Sequence, residues 1–290
     1  MSHDFCIIGG GVVGTSLAYL LRHAGWEFLG AASRSFDSAR RACKFVGDGI
    51  PTENAVDLAR VADIVFITTP DDAIEGVCEE LAGAEAFRDG AVVAHCSGAL
   101  SSDVLAAARE CGATVGSLHP LQTLPTVERA VDLLSGSWCC IEGDPEAVER
   151  LEEAAHKIKA HPLTVETEKK PLYHAAAVVA CNYLVTLEAA ALRLAEEAGI
   201  AREEALEALM PLIRGTVANV AESGPTAALT GPIARGDIET VRRHLDALRQ
   251  HTPDLLPLYS VLAEHTIEIA REKGTLSETQ SEHLRRLLER

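Results

Sequence analysis

An apolar run, Phe5-Cys6-Ile7-Ile8, leads directly into Gly9-Gly10-Gly11-Val12-Val13-Gly14 and then into the helical stretch Thr15 to Ala24. A Gly-x-Gly-x-x-Gly pattern standing between a strand and a helix leaves few folds open. Each glycine has a physical reading. Gly9 permits a tight turn, Gly11 lets a pyrophosphate approach the helix N-terminus, and Gly14 lets the helix pack closely on the strand. Val12 and Val13, between them, are counted with the same dinucleotide-binding loop.

The rest of the first half keeps the rhythm that such a loop requires. Strands are expected near 5–8, 27–31, 64–68, 91–95, 114–118, 137–141 and 163–165, with helices in most intervals and 122–134 open as either loop or helix. Short apolar runs alternating with helical stretches specify an α/β fold, here a Rossmann doubly wound parallel sheet covered on both faces. After Lys169 no strand-like alternation returns and Ala, Leu, Glu and Arg dominate, so the remainder should be all helix. The expected domains are therefore 1–168 and 169–290, meeting at a compact boundary. One long helix is expected from about Pro171 to Gly199, then others over 203–221, 237–250 and 253–273, before a polar amphipathic tail. The apolar face Ala175, Val178, Val179, Cys181, Leu184, Val185 and Leu187 exceeds what a small domain covers. It predicts a homodimer formed through the helical domain.

A site for NAD or FAD usually carries Asp or Glu at the end of the second strand, to bind ribose hydroxyls. That stretch here reads Gly30-Ala31-Ala32-Ser33-Arg34-Ser35 and holds no carboxylate. Arg34, flanked by Ser33 and Ser35, can instead hold a 2′-phosphate through charge-assisted hydrogen bonds. NADP is expected ahead of NAD, with NAD left open and a merely solvated Arg34 as the plainer alternative. The next two strand ends, Thr68-Thr69-Pro70-Asp71 and His95-Cys96-Ser97-Gly98, fall at the carboxyl edge of the sheet, where ligands of open α/β sheets bind. Thr69, Pro70, Ser97 and Gly98 are expected to line the cofactor, unless these are ordinary strand-to-helix turns.

Composition narrows the partners. Lys and Arg number 26 against 43 Asp and Glu, a formal net charge of −17, which repels a nucleic-acid backbone and an anionic lipid surface alike. No apolar run approaches the roughly 18 residues of a membrane span and no signal-peptide pattern leads the chain, so a cytoplasmic protein without membrane partners is expected. Eight cysteines lack any Cys-x-x-Cys spacing and eleven histidines lack ligand spacing, so no metal site is expected. Gly-x-Ser-x-Gly is missing from any strand-to-helix elbow, which argues against a serine hydrolase.

With these motifs in place, the chain resembles the superfamily of 6-phosphogluconate dehydrogenase, 3-hydroxyisobutyrate dehydrogenase and pyrroline-5-carboxylate reductase. It looks closest to the Rossmann-like plus DUF2520 family of NADP- or coenzyme F420-dependent oxidoreductases. The likeness covers nearly the whole chain and rests on Gly9 to Gly14, Thr69-Pro70-Asp71-Asp72, His95-Cys96-Ser97-Gly98, 116–122, Tyr173-His174-Ala175-Ala176 with Asn182-Tyr183, and Leu229 to Asp237. It implies an oxidoreductase whose second domain is like the C-terminal domain of 6-phosphogluconate dehydrogenase. In the hydroxyacid dehydrogenases of that superfamily a Lys-x-x-x-Asn pair occupies a comparable helix. Lys170-x-x-x-His174 has His in place of Asn, a departure that points away from the hydroxyacid reaction.

Reducing a carbonyl or imine takes a hydride from the nicotinamide and a proton from an acid whose pKa lies near the working pH. Lys170 and His174, one helical turn apart, share a face and are the leading candidates, with Asn182 expected two turns further on nearly the same face. His119, following the fifth strand, can orient substrate or act as acid. Arg235, in the loop Thr230-Gly231-Pro232 to Asp237, offers a fork for a carboxylate or phosphate, with Thr230 beside it and Asp237 placed to cap the next helix. Plainer roles stay open: an interface His174, a solvated Lys170, a core His119, an Arg235 in a structural salt bridge. The expected function is an NADP(H)-dependent oxidoreductase of a small anionic carbonyl, imine or alcohol. The alternatives are a non-catalytic dinucleotide-binding redox sensor and an F420-dependent NADP oxidoreductase.

Overall fold

In a computed structural model describing residues 3–289, the chain forms two compact units, Met1–Ala180 and Cys181–Arg290. The first is built on eight strands: β1 (Asp4–Ile8), β2 (Glu27–Ala32), β3 (Ile50–Thr52), β4 (Ile64–Ile67), β5 (Val92–His95), β6 (Thr114–Pro120), β7 (Trp138–Gly143) and β8 (His161–Thr164). Its helices are α1 (Val12–His23), α2 (Phe36–Val46), α3 (Ala55–Ala59), α4 (Asp71–Gly83), α5 (Ala106–Glu110), α6 (Val127–Leu134), α7 (Pro145–Lys157) and α8 (Lys170–Ala180). They cover the sheet on both faces, which is why β1 reads as an uninterrupted apolar run. Phe5 and Ile7 pack with Leu17, Leu21 and Leu151 on one side. Cys6 and Ile8 pack with Ile74, Cys78 and Leu105 on the other.

The strand order is β3-β2-β1-β4-β5-β6-β7-β8. The chain leaves β1 in one direction and returns to its other side at β4, which opens a crevice at the carboxyl ends of those two strands. Two features depart from the expected sheet. The three-residue strand β3, Ile50-Pro51-Thr52, is not among the expected strands: it is short and carries a proline, which its place at the sheet edge accommodates. Strands β1 to β6 run parallel as expected, but β7 pairs antiparallel with β6, and β8 follows β7. The connection 121–137 holds a single short helix, α6, and re-enters the sheet at the edge where β6 ends.

The second unit is all helix: α9 (Asn182–Glu197), α10 (Arg202–Ala228), α11 (Ile238–His251), α12 (Leu256–Glu272) and α13 (Glu278–Leu288). Val241, Leu245, Ala263, Ile267, Ala270 and Leu284 form its core. Asp237 caps α11, as its position suggested, by accepting from the Thr240 N–H at 3.1 Å. The helix expected over 171–199 is interrupted at Cys181, which separates α8 from α9. The expectation that no stretch is long and apolar enough to cross a membrane is corrected by Thr167–Glu197, which is so by length and composition. Small alanines, rather than a block of large aliphatics, supply much of its apolar character.

Candidate active site at the strand ends

At the β1–β4 crevice lies a cleft of about 420 Å³ lined by Gly9, Gly10, Gly11, Ser33, Arg34, Ser38, Glu53, Thr69 and Pro70, among others. The glycines divide by cause. A Cβ on Gly9, whose φ is +120°, would lie 2.6 Å from the Thr68 carbonyl, and one on Gly14 would collide with the Thr68 hydroxyl. Those two are required by the fold itself. Gly11 has open space where a Cβ would stand, so nothing in the protein forbids a side chain there. Its bareness serves whatever enters the cleft. Gly11 is also the N-cap of α1, with no side-chain cap and no acidic residue in the first turn, so the helix presents its free amides and positive dipole end to an anion. Thr69 Oγ1 is buried without a partner. These features fit a dinucleotide pyrophosphate. Val12 and Val13 open α1 at this end, and Ser35 is the N-cap of α2.

One strand further along, the turn after β5 holds the chemistry. Ser97 Oγ donates to Asp71 Oδ2 at 2.8 Å, tying this turn to the one that carries Thr69 and Pro70, and accepts from the Ala99 and Leu100 N–H groups. Its hydroxyl is consumed within the protein, so Ser97 acts here as a brace. Buried His95 accepts the Ser97 N–H at Nδ1, which leaves Nε2–H to donate to the Ser101 carbonyl at 3.1 Å. Burial, with the Lys170 charge, pulls His95 down to about 4, so it stays neutral.

Gly98 stands between two imidazoles. A Cβ there would lie 2.5 Å from His174 Nδ1 and 2.7 Å from His119 Nε2. The two nitrogens therefore converge on one point above the Gly98 backbone. Their rings are 5.8 Å apart and nearly perpendicular. His174 Nδ1 is buried and unpartnered, a costly state for a polar atom that nothing meets. His119 Nδ1 lies 3.1 Å from the Tyr173 hydroxyl. Burial first, then the neighbouring His174 and Lys170, pull His119 down to about 4. Burial, assisted by Cys140, pushes the Tyr173 phenol well above its ordinary value, so it stays protonated.

Lys170 is placed differently from the expectation that it would meet a substrate. Its side chain is 0% exposed and its ammonium donates to Ser117 Oγ and, at 3.1 Å, to Glu142 Oε1. Glu142, 1% exposed, also accepts from the Ser117 hydroxyl at 2.5 Å, the Ser102 N–H at 2.9 Å and the Ser102 hydroxyl at 2.8 Å. Burial raises the Glu142 carboxyl, but the Ser117 bond, the Lys170 charge and the Ser102 bond outweigh it and hold the carboxyl below its usual range. Lys170 thus fastens the first turn of α8 to β6, β7 and the turn after β5. His174 follows one helical turn later.

In the helical unit, Asn182 is an exposed residue opening α9, just past the interruption at Cys181. Thr230 and Arg235 are exposed, and Arg235 makes no ion pair among the described residues. Sequence reasoning missed Glu142, Tyr173, Ser117 and Glu53. Tyr173 adjoins His174 in a motif already singled out. The other three are brought in only by strand pairing.

Comparison with known proteins supports this architecture. Residues 3–120 match the Rossmann-like domain and residues 137–266 match a domain of unknown function, DUF2520. No curated protein matches the chain. Among solved structures, a Thermotoga maritima protein is 26% identical, with 93% of this chain and 99% of that chain covered at a TM-score of 0.74. A Bacteroides fragilis protein provisionally assigned as an NADP oxidoreductase is 25% identical, covering 92% and 98% at 0.71. A pyrroline-5-carboxylate reductase from Coxiella burnetii, 16% identical, covers 94% and 99% at 0.60 and so shares the fold.

Proposed function

We propose, for a chain that joins a Rossmann-like domain to a DUF2520 domain, an NADPH-dependent oxidoreductase that reduces the carbonyl or imine group of a small molecule. The observation that carries this reading is the convergence of His174 Nδ1 and His119 Nε2 on Gly98, in a turn braced through Ser97 and Asp71 to the glycine-lined cleft. The Bacteroides fragilis relative agrees with the choice of cofactor. The nicotinamide, when bound, supplies the hydride. Gly9, Gly11 and Thr69 hold the pyrophosphate end, and Arg34 with Ser33 and Ser35 takes the 2′-phosphate.

The chain's own part is to hold and polarise the group being reduced. His119 is neutral across the physiological range, and when the Tyr173 hydroxyl donates to Nδ1 the proton stands on Nε2, facing Gly98. A substrate oxygen or nitrogen placed there accepts a hydrogen bond from Nε2–H, which polarises the carbonyl or imine for hydride attack, while His174 Nδ1 gains the partner it lacks. Lys170 is assigned to holding α8 in place. Arg235, which makes no ion pair among the described residues, is the candidate fork for an anionic group. The helical unit leaves Tyr183 55%, Val185 68% and Leu212 66% exposed, and we assign that surface to a second copy of the chain, to be checked by sedimentation.

The experiment is a screen of small aldehydes, ketones and imines for loss of NADPH absorbance, run beside His119→Ala and His174→Ala. Turnover by the wild type that falls about 10²-fold or more in either variant supports the assignment. A panel with no substrate, or turnover indifferent to both substitutions, overturns it.

A further inference from the structure

The end of β2 lacks the carboxylate that commonly binds ribose hydroxyls, yet the fold supplies one from the neighbouring strand. β3 pairs in parallel with β2, with Ala32 opposite Thr52, and the Ser33 N–H donates to the Thr52 carbonyl at 3.1 Å. That register brings Glu53, the next residue, beside the Ser33-Arg34-Ser35 turn. Glu53 lines the same cleft as Ser33, Arg34 and Ser38. Its Oε1 accepts the Phe36 N–H, the first amide of α2, at 3.2 Å. Arg34 forms no ion pair among the described residues, so the guanidinium does not neutralise this carboxylate. One wall of the cleft therefore carries a cation and an anion, neither in an ion pair among the described residues, close to where the second strand ends.

We infer that Glu53 is a specificity-determining residue, opposing an adenosine that carries a 2′-phosphate and accepting a hydrogen bond from one that carries a free 2′-hydroxyl. Arg34 and Glu53 then pull the cleft in opposite directions. The phosphate gains from the guanidinium and is repelled by the carboxylate, whereas the hydroxyl has no charge to be repelled and is a donor for Glu53. The chain accordingly binds both dinucleotides, with a narrower preference for NADPH than Arg34 alone would set. This inference rests on the proposed dinucleotide site.

The test isolates charge from shape. Glu53→Gln keeps a carbonyl oxygen able to accept the Phe36 N–H and so preserves the turn, while removing the negative charge. Calorimetric titration of the full-length wild type and variant with NADPH and NADH should show the ratio of NADPH to NADH affinity rising about fivefold or more in Glu53→Gln, and the rise shrinking at about 1 M salt, where charges are screened within roughly 3 Å. Thermal melting of each protein verifies folding, since Glu53 is exposed. A ratio unchanged within about twofold would overturn the inference, as would equal weakening of both cofactors, which would make Glu53 a brace for the turn. Binding of neither cofactor by the wild type would instead defeat the dinucleotide reading, and this inference with it.

Discussion

Replacing Lys170 by Met should be far more damaging than its place near the start of a helix suggests. Methionine fills much the same space, so the change is chiefly electrostatic: Glu142 stays 1% exposed and loses the Lys170 ammonium, the one cation paired with it among the described residues, keeping the two serine hydroxyls and the Ser102 amide. Removing one member of a buried ion pair costs about 3–5 kcal/mol. For a chain of this size that lowers the melting temperature by about 6–20 °C. The carboxylate can escape part of the cost by taking a proton, so the penalty should depend on pH with a definite sign. In the variant the folded-state pKa of Glu142 is raised, and the deficit against wild type should grow as pH rises from about 5 to 8. Adding Glu142→Gln removes the stranded charge while keeping an acceptor for Ser102, so the double variant should recover most of the loss. Urea titrations of wild type, Lys170→Met, Glu142→Gln alone and the double variant at both pH values give the coupling directly. A single variant within about 1 kcal/mol of wild type, with no pH slope, would refute the idea that Lys170 and Glu142 form a charged buried pair.

Three further outcomes follow from the same geometry. Gly11→Ala should leave melting nearly unchanged yet weaken NADPH binding strongly, whereas Gly14→Ala should destabilise the fold itself, because only the latter Cβ meets protein atoms; melting and calorimetry separate the two. The His95 and His119 pKa values of about 4 lie below the unfolded value, so both contribute stability above about pH 6.5 that is lost as pH falls toward 4; urea midpoints against pH, with histidine NMR titrations, check this. Gly98→Ala should displace His119 and His174 and cut turnover of any substrate found in the screen, at a cost to stability smaller than that of Lys170→Met.

What could be read from the sequence was whatever depends on neighbours along the chain. The glycine loop, the five parallel strands β1, β2, β4, β5 and β6, and the Asp237 cap are local patterns, and they appear where the spacing put them. The Glu142 network is of another kind. Glu142 meets Ser117 because the two are paired across β6 and β7 in antiparallel register, and that reversal has no local signature in the connection 121–137. Glu53 likewise reaches the cleft only through the short, proline-bearing strand β3. Lys170 looked like an accessible acid because helical periodicity tells which residues share a face, not whether that face is covered. Tyr173 was adjacent to a residue already chosen, and its bond to His119 depends on an approach between elements 54 residues apart.

The most direct test of the account is whether the purified chain binds NADPH through Arg34. Calorimetry should show one NADPH per chain, with affinity falling about 10- to 100-fold in Arg34→Ala, the range expected for losing a charge-assisted bond to phosphate. Binding of neither NADPH nor NADH by the wild type would contradict the assignment of the glycine-lined cleft, and with it the proposed chemistry at Gly98.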